Sequence, residues 1–212
     1  MSREAHVQFC ESLGVRFPGA THLVLGFQYR AEAERFLQDW RERLQKFGLE
    51  LHPDKTRLIE FGRFAANNRK QRGERKPETF NFLGFTYICG QSKKSGKFLV
   101  LRKTVRKRLL AKLKQVKDEL RTRMHRPLAE VGKWLRSVVQ GYFNYHAVPG
   151  NLASLQRFRL EVSKRWRRVL FHRSQKSRIN WKRIAALVEQ WLPLPTILYR
   201  YPNLRFDAKH LR

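Results

Sequence analysis

Residues 104–124 read TVRKRLLAKLKQVKDELRTRM. Val105, Leu109, Leu113, Val116, Leu120 and Met124 recur at three- and four-residue steps. This spacing predicts one amphipathic helix whose other face is basic. From here the helical pattern holds to the end of the chain. Pro127 is placed to start a second helix, with Val131, Leu135, Val138 and Tyr142 at helical spacing. Pro149-Gly150 predicts a turn, and Asn151 suits the N-cap of a third helix. That helix carries Leu152, Leu155, Phe158, Val162, Trp166, Val169 and Leu170 on one side. Asn180 caps a fourth, with Ile184, Leu187, Val188 and Trp191 apolar, and Pro193 and Pro195 end it. The four tryptophans 134, 166, 181 and 191 are expected in the core. The tail LYRYPNLRF is expected to be irregular and partly packed.

Upstream of residue 104 the pattern is mixed. Residues 1–19 show no clear periodicity. Residues 23–29 (LVLGFQY) suit a buried strand. Arg30 to Phe47 predicts a helix, from Ala33, Phe36, Leu37, Trp40, Leu44 and Phe47, and Gly48 is placed to end it. After LELHPDKT, residues 57–61 (RLIEF) predict a short strand. Residues 62–79 are polar, hold six basic side chains and lack periodicity, which predicts a loop. Residues 80–89 (FNFLGFTYIC) predict one strand. QSKKSG is a turn, and KFLVL completes a hairpin. The fold class is therefore α+β, with strands early and a helical bundle late.

Charge narrows the function classes. Forty-six Lys and Arg face 17 Asp and Glu, a net +29 on 212 residues. Self-repulsion of that size disfavours a compact state without a polyanion, and nucleic acid is the usual one. The charge is also uneven. Residues 1–60 hold nine basic and nine acidic side chains, whereas 61–212 hold 37 and eight. Residues 104–183 alone hold 22 Lys or Arg against four Asp or Glu. An anionic membrane is the rival partner, but no apolar run reaches 18 residues. Met1 to Gly19 has no apolar core of signal-peptide length, so a cytoplasmic location is expected. Cys10 and Cys89 form no C-x-x-C pair, which argues against a zinc site or disulfide framework.

A strand, a helix, HPDKT, a basic loop and FNFLGF, in that order, resemble the late palm of a bacterial group II intron reverse transcriptase. The helical remainder is similar to that family's thumb and maturase region, above all in GYFNYHAVPGN at 141–151 and WLPLPTILYRYP at 191–202. The resemblance spans about Leu23 to Arg212. It implies a divergent segment at 1–22, a partial palm at 23–103 and an intron RNA-binding thumb/maturase domain at 104–212. In the family, a Tyr-Ala-Asp-Asp turn immediately precedes the strand matching LVLGF. Here Gly19, Ala20, Thr21 and His22 stand there, and no stretch of the sequence resembles the fingers. Two-metal nucleotidyl transfer needs carboxylates to hold Mg²⁺. The chain is therefore expected not to polymerise alone, and to meet Mg²⁺ only through bound RNA or a partner chain.

The resemblance and the charge together name candidate contacts. Lys55 of HPDKT resembles a lysine near the incoming nucleotide phosphates; its plainer role is a solvated loop cation. Phe82, Leu83, Gly84 and Phe85 resemble the primer-grip turn, where Gly84 would let backbone approach a primer. Arg63, Arg69, Lys70, Arg72, Arg75 and Lys76 could track phosphates from the loop. Tyr145 and His146 could stack on unpaired bases. In the helical region the expected phosphate contacts are Arg106, Lys107, Lys114, Arg121, Lys164, Arg165, Arg167, Arg168, Arg173, Lys176 and Arg178. The expected partner is group II intron RNA, with a DNA target or a complementing reverse-transcriptase chain as further partners. Three readings stay open. They are a maturase-like binding module, part of a split polymerase, and a degenerate remnant with generic nucleic-acid affinity.

Overall fold

The computed structural model describes residues 6–11, 22–53, 55–92, 95–173 and 180–201, with the side chains of 6–11 and His22 left undescribed. The chain divides into two compact units, residues 1–101 and 102–212. The first holds a small antiparallel sheet with helices, and the second is a bundle of four helices. The α+β class expected from the sequence is what forms.

In the first unit, strands β1 (His6–Glu11), β2 (His22–Phe27) and β3 (Thr56–Glu60) form a sheet in the order β2-β1-β3. His6 lies opposite both Phe27 and Glu60, and the pairing is antiparallel on both sides. Residues 6–11 are thus the central strand, where the sequence pattern showed no element. The break expected at residue 22 falls inside this one sheet. Helix α1 (Arg30–Gln45) forms as its periodicity predicts. It buries Ala33 and Leu44, and Phe36 sits between Phe27 at 5.2 Å and Trp40 at 5.5 Å.

Two local expectations change. The stretch 62–79 is not wholly loop, because Ala65–Gln71 forms a short helix, α2. Its residues are polar, so no apolar period announces it; ion pairs and a hydrogen bond from Asn68 to Glu60 hold it instead. The stretch 80–89 is not one strand either. It folds into β4 (Phe80–Phe82) and β5 (Phe85–Gln91), joined by Leu83 and Gly84 at φ of 45° and 81°. Two successive positive φ values make the twisted two-residue turn that hairpins favour. Glycine adopts this freely, whereas Leu83 does so at a steric cost. Strand β6 (Phe98–Thr104) adds to β5, completing a second sheet in the order β4-β5-β6. The Phe61 and Phe80 rings meet edge-on at 5.0 Å. Cys89 is a free, half-buried thiol that accepts from the Gly62 amide, and burial raises its pKa.

The second unit follows the predicted helical pattern closely. Helices α3 (Arg106–Thr122), α4 (Leu128–His146), α5 (Leu152–His172) and α6 (Trp181–Trp191) share one core. Leu113, Leu120, Leu135, Leu155, Phe158, Val162, Trp166 and Ile184 are almost or fully sealed from solvent. Helix α3 packs chiefly on α5, and α6 touches both α4 and α5. A Cβ on Gly132 would lie 2.5 Å from the Trp191 ring, so only glycine lets α4 take that indole so closely.

Two polar groups finish the bundle. Asn180 caps α6 as expected, accepting from the Arg183 amide. Asn151 takes the N-cap position of α5 as expected, but its side chain bonds elsewhere than the helix amides. Its buried carboxamide accepts from the Thr104 amide and donates to Thr104 Oγ1 and the His146 carbonyl. A buried amide so satisfied holds the α4–α5 turn against residue 104. The irregular segment after α6 is partly packed as expected. Leu198 and Tyr199 donate backbone amides to Ala147, and the Tyr199 hydroxyl donates to Asn144.

Candidate nucleic-acid interface

Helices α3 and α5 are amphipathic, and their packing leaves a groove where their polar faces meet. Lys117 and Arg121 come from α3, and Glu161, Lys164, Arg165, Arg168 and His172 from α5. The cleft holds about 670 Å³, and Met124 and Val169 contribute apolar floor. Four of the residues expected to touch phosphate therefore converge here: Arg121, Lys164, Arg165 and Arg168. Arg121 lies more than 40 residues before the other three in the sequence. Lys117 joins them, although the charge pattern did not single it out.

Among the described residues lining this cleft, Glu161 is the one acidic side chain. It pairs with Lys164 at 3.0 Å and Arg165 at 2.5 Å, and those partners hold its carboxyl below the usual range. Arg165 is thereby held in place, with a further bond to the Glu161 carbonyl. One carboxylate against five Lys and Arg leaves the groove strongly positive. Low-dielectric walls focus such a field on an approaching polyanion.

The other helical candidates fall at distinct places. Arg106 and Lys107 are exposed in the first turn of α3, where the helix dipole is already positive and no acidic residue offsets it. An anion there would relieve that repulsion. Lys114 is exposed on α3, outside the cleft. Arg167 lies over the Trp181 ring at 4.5 Å. Arg173, just past α5, reaches the His125 carbonyl at 3.5 Å. Lys176 and Arg178 lie outside the described residues.

Tyr145 and His146 are neighbours at the end of α4, with ring centroids 4.8 Å apart. Tyr145 is exposed. His146 is half-buried, stacked on Tyr142 at 4.1 Å and hydrogen-bonded to the Tyr142 carbonyl. Burial, with Arg108 nearby, lowers its pKa. Tyr142 in turn stacks on Phe158 inside the core, and burial pushes its hydroxyl up to about 12.

In the first unit, two of the candidate arginines are paired with glutamates. Arg69 pairs with Glu74 and Glu78 and donates to the Arg75 carbonyl. Arg72 bridges Glu60 and Glu74, and bonding to Glu74 and Glu60 raises its pKa. These two arginines tie α2 to its neighbours, so their charge is already balanced. Lys70 and Arg63 stay exposed. Lys55 is exposed beside a turn in which its amide donates to the His52 carbonyl. Gly84 sits at the β4–β5 turn beside Leu83, whose side chain is 57 % exposed. Gly19, Ala20 and Thr21 lie outside the described residues. Among the described residues, no three His, Cys, Asp or Glu side chains gather as a metal site would require.

Two further residues matter that charge counting did not separate. Arg159 is structural, because its guanidinium donates to the Val188, Leu192 and Pro193 carbonyls and satisfies the end of α6. Trp181, expected in the core, is instead half exposed. Among the described residues, no helix is long and apolar enough to cross a membrane. No protein-family model matches the chain, and no curated protein matches it.

Proposed function

We propose that this protein is a maturase-like module that grips structured group II intron RNA by its backbone and assists splicing. The observation that carries this reading is the convergence of Lys117, Arg121, Lys164, Arg165 and Arg168 on one groove of a bundle with its own core. Cations carried on packed helices present their charges from a fixed scaffold, so less backbone freedom is lost on binding than with cations on a loop. The motifs at 141–151 and 191–202, which resemble the maturase region, belong to the same four-helix unit. Strand β2 and α1 are consistent with a late-palm remnant, in which Arg69 and Arg72 are paired with glutamates.

Phosphate contacts position a protein on RNA without selecting a sequence. A maturase therefore needs shape complementarity and contacts to unpaired bases as well. The test compares the cognate intron RNA with an unrelated structured RNA of equal length, at near-physiological salt with competitor present. A clear preference for the intron is expected. Equal affinity for the two would reject the maturase role and leave a remnant with generic affinity.

Catalysis of polymerisation is expected to be absent. Gly19, Ala20, Thr21 and His22 stand where the family carries its aspartates, and none of these side chains can hold Mg²⁺ as a carboxylate pair does. Primer-extension assays with Mg²⁺ or Mn²⁺ on an RNA template should give no product. Template-dependent synthesis by the pure chain would overturn this part of the reading.

A further inference from the structure

The α5 residues Lys164, Arg168 and His172 follow one another at four-residue steps, so they form a ridge along one face of the helix. On one side of this ridge lies the basic groove with α3. On the other lies a second cleft of about 450 Å³, walled by Arg167, Phe171 and Trp181. Phe171 is 51 % exposed and Trp181 is 52 % exposed, although each is a large apolar ring. Single exposed rings are ordinary. Two beside the same basic ridge, with His172 edge-on to Phe171 at 5.8 Å, form a surface of a different kind.

Arg167 fixes one side of this surface. Its guanidinium lies over the Trp181 ring, within cation–π distance, and steadies the indole. Its Nε is buried and donates to no acceptor among the described residues. A nucleotide matches each element here. Its base offers a flat π-face to a ring and carbonyl acceptors to a guanidinium, and its flanking phosphates match the ridge cations.

We propose that this cleft is a stacking site for an unpaired nucleobase of single-stranded RNA, with the adjoining phosphates on Lys164 and Arg168. The proposal rests on the RNA-binding reading and deepens it: the ridge carries backbone from the phosphate groove to a site that takes a base out of the strand. Paired bases do not fit, since their faces are already stacked within the helix.

The test uses the full chain and three probes. These are a single-stranded RNA of about a dozen nucleotides, the same strand with abasic positions, and a blunt duplex of equal length. Trp181→Ala is expected to weaken single-strand binding by about 5- to 150-fold, the range of one lost base stack. Trp181→Phe, which keeps a ring, should retain most of the affinity. Neither substitution should change duplex binding, and abasic strands should bind the wild-type chain and Trp181→Ala equally. No loss in Trp181→Ala, or the same loss on duplex and abasic probes, would overturn the stacking site. Steep, salt-dependent binding to structured RNA would still stand in that case. Failure to bind any RNA would overturn both readings.

Discussion

Affinity for structured RNA is expected to fall by about 10³–10⁵ between 50 and 200 mM salt, if about six to ten phosphates are neutralised. The groove supplies five Lys and Arg, and Arg106, Lys107 and Arg167 extend the surface at the start of α3 and along α5. Each contact releases condensed counterions, so the dependence on salt is a count of contacts and not a general sensitivity. The net charge of +29 alone would give the same sign. The organised groove adds the expectation that a small set of residues carries much of the slope. Equilibrium titration at several salt concentrations reads it directly. A shallow slope would mean that the positive surface is not the binding determinant.

The second large effect concerns stability. Trp166 is fully buried at the centre of the bundle core, in the same cluster as Leu113, Phe158 and Val162. Trp166→Ala removes the largest sealed side chain and leaves a cavity that rigid helices close only in part. The expected cost is about 3–5 kcal/mol. That would lower Tm by on the order of 10 °C or more. Trp181→Ala, at a half-exposed ring, should cost less than about 1 kcal/mol. Thermal or urea unfolding of the two variants side by side checks the contrast. Equal destabilisation by both would contradict the packing described for α5 and α6.

The helices of the second unit were legible because burial there follows a 3.6-residue period. Leu109, Leu113, Val116 and Leu120 point inward as their spacing requires, and Asn180 caps as its chemistry suggests. What stayed hidden depends on contacts between distant residues. Strand β1 is short, and it is defined by pairing with β2 and β3 and by no pattern of its own. Helix α2 owes its place to Glu60, twelve residues before Arg72. The β4–β5 turn lies inside an apolar run that reads as continuous strand, because Leu83 is an unusual residue at positive φ. Trp181 follows the period of Ile184 and Val188 but stands at the first turn of α6, where the core ends.

The candidate interface shows the same division. Composition located the charge in residues 104–183, but it could not distinguish a paired arginine from an available one. Arg72 and Arg159 are as basic as Arg121, yet the first two are held by carboxylates or carbonyls and only the last lines the groove. Which cations face one another across α3 and α5 depends on helix packing, and no count of Lys and Arg contains that information.

The most direct test of the account is the salt dependence of RNA binding by the full chain carrying Arg121→Gln, Lys164→Gln, Arg165→Gln and Arg168→Gln together. Each lost phosphate contact removes about one unit from the slope of log affinity against log salt, so the slope should move toward zero by about three to four units. As a control, Arg69→Gln and Arg72→Gln together, which remove arginines of the first unit outside the groove, should leave the slope unchanged. A slope unaltered by the fourfold substitution, in a chain that still unfolds cooperatively, would contradict the claim that the α3–α5 groove grips RNA.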